Sequence, residues 1–137
     1  MASTSDFMRR MGALGTRVTR NADKVVRRVV LAVDQTVVLA TPVDTGRARA
    51  NWIAALNAPA EAATAETDRS GRKPIQQAGG VAASYDGDHD VAVHITNNLP
   101  YIGALDAGSS AQAPIGFVRS AVRAGVDAVK GARLLDS

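Results

Sequence analysis

Three aspartates and two histidines crowd one short stretch of the chain, DGDHDVAVH, as Asp86, Asp88, His89, Asp90 and His94. Carboxylates mixed with imidazoles are what a divalent cation or a general acid–base pair requires. A calcium loop of the EF-hand type needs a set order of oxygen ligands closed by a glutamate, and that order is missing here. Short acidic patterns specify sites loosely, so the stretch reads as a solvated turn leading into a strand. A second candidate is the triplet Asp44-Thr45-Gly46, which has the wording of an aspartic-protease loop. That chemistry takes two carboxylates sharing one proton. The triplet follows a helical pattern and has no apolar frame, so proton-sharing catalysis is not expected of it. Ser70, Ser109 and Ser110 fall in loop-like stretches outside any G-x-S-x-G elbow. Neither G-x-G-x-x-G nor a phosphate-cradling P-loop occurs. A small hydrolase would rest on the Asp/His stretch alone. The expectation is a protein that is not an enzyme, with no cofactor and no metal.

What remains at Asp44 is a turn. An aspartate can accept backbone N–H groups two residues on, and Gly46 can adopt positive φ, which together reverse the chain tightly. The two arginines that follow, Arg47 and Arg49, are then left to pair with acidic groups, such as those of an adjacent subunit.

These residues must be positioned by elements legible in the apolar spacing. Phe7, Met8, Met11 and Leu14 recur at helical spacing, but Gly12 and Gly15 weaken that segment. Residues 1–20 therefore read as a short amphipathic arm, with Asn21 a candidate N-cap for the next helix. From Ala22, Val25, Val26, Val29, Val30, Val33, Val37 and Ala40 line one face, and Pro42 ends the helix at Thr41. RARANWIAAL alternates, which predicts a half-buried strand with Arg47, Arg49 and Asn51 outward and Trp52 in the core. The segment 58–72 is small and polar, without a face to bury, and reads as a flexible loop or arm. A helix follows from Pro74, with Ile75, Ala78, Val81, Ala82 and Tyr85 along one side. DVAVHITN predicts a second strand, and a last amphipathic helix is expected from about Pro114. Residues 131–137 are left as a C-terminal tail.

The order is helix, strand, helix, strand, short helix, helix. It implies an α+β fold: one domain over 21–130, in which a long N-terminal helix and C-terminal helices pack on a small, mainly antiparallel sheet. The 137 residues suffice for a modest core. Of the composition, 46% is hydrophobic but only 4% aromatic, so each buried residue contributes little area and subunit contacts are expected to supply part of the stability. The absence of cysteine excludes disulfides and thiolate zinc sites. No apolar run approaches the ~18–20 residues of a bilayer span, and the first residues lack a secretory apolar region, so a soluble product made in the cytoplasm is expected. The net charge of +3 and the basic segment 9–28 make a small DNA-binding accessory protein the alternative to be weighed.

Two blocks carry a further reading. TPVDTGR supplies Pro42, Val43, Asp44, Thr45, Gly46 and Arg47 after a long helix. TNNLPYIGALDAGSSAQAPIG supplies Thr96, Asn97, Asn98, Leu99, Pro100, Tyr101, Gly108, Ser110, Gln112, Ala113, Pro114 and Gly116. In order and spacing the chain, from Ala22 to Arg123, resembles the neck and tail-completion family of long-tailed bacteriophages, which includes the lambda-like minor tail protein Z group. The acidic residue before Gly108 departs from the family pattern, since LDAG replaces a glutamate and carries no aromatic at Ala107. The resemblance implies a structural virion protein: a homo-oligomeric ring, sixfold or twelvefold, in the head–tail connector between the capsid portal and the tail tube. Its partners would be adjacent connector proteins, such as a head-closure or adaptor protein and a tail terminator or tail tube. DNA would be passing cargo only, and no membrane would be involved. Pro42, Asp44, Thr45, Gly46, Arg47, Arg49, Asn97, Asn98, Pro100, Tyr101, Gln112, Pro114 and Gly116 become the candidate subunit-contact or motif residues. Localisation would be the virion, at the head–tail junction.

Overall fold

The computed structural model describes the backbone of residues 4–130 and the side chains of residues 22–130. Its elements are α1 (Thr4–Ala40), α2 (Arg47–Ala50), β1 (Trp52–Leu56), α3 (Arg72–Ser84), β2 (Val93–Asn97), α4 (Ile102–Asp106) and α5 (Phe117–Lys130). The expected α+β class is the observed one: helices dominate, and β1 and β2 form a two-stranded antiparallel sheet, from Trp52 opposite Asn97 to Leu56 opposite Val93.

Helix α1 is the spine. Its 37 residues run without a break through Gly12, Gly15 and Asn21, so the separate arm and the N-cap at Asn21 are corrected. Each glycine costs about 1 kcal/mol relative to alanine, but neither glycine nor asparagine removes a backbone donor as proline would. The apolar stripe of the arm and the tail at 131–137 lie outside the described side chains and residues. Helix α5 packs along one flank of α1 and α3 along another. The α1–α5 contact is close at Gly125, where a Cβ would meet the Val33 Cα at 2.8 Å and the Ala32 carbonyl at 2.9 Å. There the Thr36 hydroxyl lies 2.9 Å from the Ala121 carbonyl and 2.8 Å from that of Ala32, and can donate to either. Val37, Val38, Trp52 and Ala121 form the buried cluster, with Ile75, Ile95, Ile102 and Val118 packed around it.

The sheet is held at both sides of β1. On its outer edge, Gln77 of α3 imitates a neighbouring strand: its Oε1 accepts from the Ala54 N–H at 2.9 Å and its Nε2 donates to the Ala54 carbonyl at 2.7 Å. That coverage satisfies backbone groups a short edge strand would otherwise expose. Trp52 is 6% exposed, as expected of the single tryptophan, and its indole N–H donates to the Thr41 hydroxyl at 2.8 Å. Thr41 in turn donates to the Val37 carbonyl at 2.7 Å. The sheet is thereby fastened to the end of α1.

Candidate functional site

The corner between α1 and β1 differs from the expected one in a way that reassigns its charged residues. Arg47–Ala50 is a helical turn, α2, rather than the start of the strand. The alternation of RARA also fits one turn of helix, because Ala48 is buried either way and four residues cannot separate the two periods. Arg49 therefore points at the end of α1. Its Nε donates to the Thr41 carbonyl at 3.0 Å, Nη2 to Leu39 at 2.8 Å and Nη1 to Arg69 at 2.8 Å. A helix ending at a proline leaves its last carbonyls without N–H partners, and a guanidinium supplies several donors at once. Within its own chain Arg49 is a C-terminal cap of α1.

Asp44 and Thr45 exchange roles. Asp44 is exposed and makes no hydrogen bond among the described residues; the Thr45 hydroxyl accepts from the Arg47 N–H at 3.2 Å. Gly46 does adopt positive φ, at 89°. Its carbonyl accepts from both Ala50 and Asp68, each at 3.0 Å, and a Cβ there would strike the Arg69 nitrogen at 2.5 Å. The chain needs glycine at this position for two independent reasons, backbone conformation and space.

The segment expected as a flexible loop over 58–72 is instead tied down across 58–71 without regular secondary structure, and Arg72 opens α3. Asn51, fully buried, donates from Nδ2 to the Thr64 carbonyl at 3.0 Å and accepts the Thr64 N–H at 2.8 Å. Arg47 Nε donates to the same carbonyl at 3.2 Å, and Asn98 Nδ2 donates to Ala60 at 2.6 Å. Side-chain amides and a guanidinium here replace the ladder that a polar segment cannot form for itself. The segment ends in a cap for α3: Asp68 accepts from Ser70 and, at 2.7 Å, from the Lys73 N–H. The Ser70 hydroxyl and then the Lys73 N–H hold the Asp68 carboxyl below the usual carboxylate range. Asn51, Thr64 and Gln77 were not singled out by the sequence. Asn51 sat on the outward side of a supposed strand, and no local pattern marks a partner 13 or 23 residues away.

The second block folds against the first. Gln112 brackets Val43 as Gln77 brackets Ala54, accepting its N–H at 2.9 Å and donating to its carbonyl at 3.0 Å. Asn97 Nδ2 donates to the Ala48 carbonyl at 2.9 Å, joining the end of β2 to α2. Asp106 replaces a side-chain N-cap for α5: its Oδ1 accepts the Val118 N–H at 3.0 Å and its carbonyl the Gly116 N–H at 2.7 Å, with Gly116 at φ 74°. Between the blocks lies an open cavity of about 200 Å³. Pro42, Val43, Tyr101 and Leu105 give it apolar wall, and Asp44, Arg47, Ser110 and Gln112 give it polar rim. Tyr101 is 40% exposed beside it. Asn98 and Pro100 are exposed outside this wall, as is Pro114.

No family model, curated protein or solved structure matches this chain. The site is therefore characterised by its geometry. Its wall offers one half-buried guanidinium with only Nε committed, one exposed carboxylate and a half-exposed tyrosine. That set lacks a nucleophile–base pair and suits a protein side chain or backbone better than a reacting substrate. In the Asp/His turn the carboxylates bind the turn itself. Asp86 accepts from His89 Nδ1 at 2.8 Å and from the Asp88 N–H at 3.0 Å, and Asp90 accepts the Asp86 N–H at 2.9 Å. Among the described residues no helix is long and apolar enough to cross a membrane.

Proposed function

We propose that this protein is a structural component of the phage head–tail connector, a subunit of a homo-oligomeric ring between capsid portal and tail tube. The resemblance of its two sequence blocks to neck and tail-completion proteins is the origin of this reading. The observation that carries it is their meeting at one surface: Gln112 holds Val43 by both backbone groups, and Tyr101 and Arg47 share a cavity wall. Residues 69 positions apart in sequence thus build one exposed, partly apolar and partly charged recess, a composition common to protein contacts. The role is non-enzymatic, the location is the virion at the head–tail junction, and DNA passes as cargo. The neighbours in this reading are a head-closure or adaptor protein on one side and a tail terminator or tail tube on the other.

Electron microscopy of particles carrying a labelled copy tests the reading. Density for the label at the head–tail junction is expected, and deletion of the gene should leave filled heads without attached tails. Normal tailed particles lacking the protein would refute it. A second reading, a DNA-binding accessory protein, draws on α5, where Arg119, Arg123 and Lys130 are exposed and make no ion pair or hydrogen bond among the described residues. Duplex affinity falling steeply with salt is its signature.

A further inference from the structure

The molecule carries a recess at one end and an apolar projection at the other. Val91 is 87% exposed, the most exposed large hydrophobic of the described residues. It stands on a turn that is held firmly. Asn57 accepts the Val91 N–H at 2.7 Å and donates to Asp90 at 3.1 Å, and the Gly87 N–H donates to Asp23 of α1 at 3.2 Å. An exposed valine on a turn braced from two elements loses little conformational entropy on docking.

The recess of Pro42, Val43, Tyr101 and Leu105 lies at the opposite end of the same elements. The turn adjoins α1 at Asp23, while the recess begins just past Thr41, a separation of about 27 Å along the helix at 1.5 Å per residue. In the sheet, the turn precedes the Leu56–Val93 end, and the recess adjoins the Trp52–Asn97 end. A cavity of about 200 Å³ exceeds the ~150 Å³ that holds a benzene-sized ligand, so it has room for an isopropyl group. Each end carries one charged group free to pair with the other. Asp86, Asp88 and Asp90 precede the valine in the same turn, and Asp88 keeps its carboxylate free of hydrogen bonds among the described residues. At the recess, Arg47 leaves both Nη groups uncommitted among the described residues, beside the carboxylate of Asp44.

We propose that the turn carrying Val91 docks into the Pro42–Tyr101–Leu105 recess of a second copy of this chain, with Asp88 facing that copy's Arg47. The inference rests on the ring reading above and names its contact. Because projection and recess are different surfaces at opposite ends, the contact is heterologous. Each subunit then offers one of each, and repetition closes into a ring when the rotation allows.

The full chain and two surface variants test this. Val91→Asp removes the projection and keeps the recess, whereas Tyr101→Glu places an acid in the recess and keeps the projection. Both positions are exposed, so folding should persist, and far-UV circular dichroism checks it. In sedimentation velocity the wild type is expected to form species larger than a dimer as concentration rises. Each variant alone should associate at least about tenfold more weakly, the effect of losing a central apolar anchor. An equimolar mixture retains one working contact and should stop at a 1:1 dimer. Variants that assemble like the wild type overturn the contact and leave the ring standing. A mixture of folded variants that stays monomeric also overturns it, as does a monomeric wild type. Whether the protein sits at the head–tail junction is decided separately by the labelled particles.

Discussion

Asp34 is 1% exposed in the C-terminal half of α1, and neither carboxyl oxygen has a hydrogen-bond partner among the described residues. Burial pushes its pKa up to about 7. The folded state therefore holds a proton that the unfolded chain releases near pH 4. Its contribution is fully present below that pH, declines as pH rises, and is lost by about pH 7, on the order of 4 kcal/mol in all. Asp34→Asn keeps the neutral form at every pH. It should match the wild type near pH 4, exceed it by several kcal/mol at pH 8 and flatten the slope between, as read from urea denaturation at each pH. Asp68 works in the opposite direction: its lowered pKa contributes stability above the ordinary carboxylate range that disappears on acidification. Gly46 and Arg49 can be ranked at this scale as well. Gly46→Val combines a β-branched residue at φ 89° with a Cβ against the Arg69 backbone. Arg49→Ala removes donors from three carbonyls of which part remain open to water. The valine variant should lose more, above about 3 kcal/mol, and the alanine variant about 1.5–3 kcal/mol, in chemical denaturation.

At the scale of elements, two junctions decide the arrangement. Segment 58–71 is held by amide and guanidinium side chains from α2 and the end of β2, so its order depends on residues outside it. Asn51→Ala leaves the Thr64 N–H and carbonyl without that partner. Amide exchange should accelerate across 60–67 while protection in the central part of α1 is retained. Uniform acceleration everywhere would show instead that Asn51 acts through global stability. The other junction is α1 against α5. Gly125→Leu would force the helices apart where backbones nearly touch, and a loss of several kcal/mol is expected from overpacking and from disturbing Thr36.

At the scale of the whole molecule, α1 is the spine to which α3, α5 and the sheet are fastened. Trp52 touches the Val37–Val38 cluster, is bonded to Thr41 and belongs to the sheet, so it reports α1, β1 and the corner together. Its fluorescence and the helical circular dichroism should therefore unfold with coincident midpoints, and separated midpoints would mark the sheet as an independent unit. The separation of the Val91 turn from the Tyr101 recess also belongs to this scale, because each is held by residues distant in sequence.

By itself the sequence determined the elements whose signals are local. A valine face at 3.6-residue spacing and a proline after Thr41 suffice for the second half of α1. Alternation suffices for the body of β2, and Gly46 had to take a backbone conformation other residues avoid. Local signals cannot decide a four-residue segment such as RARA, where one helical turn and two strand repeats bury the same alanine. Nor can they show continuity through Gly12, Gly15 and Asn21, since what stops a helix is a competing structure and not a modest propensity cost. The partners of Arg49, Asn51, Gln77 and Gln112 were decided only by the tertiary structure. Unsatisfied backbone groups, at a helix end, an edge strand and a polar segment, select whichever side chain folding brings within 3 Å. That selection turned two arginines read as a pair into a helix cap and a recess wall, and it joined two distant blocks of sequence into one surface.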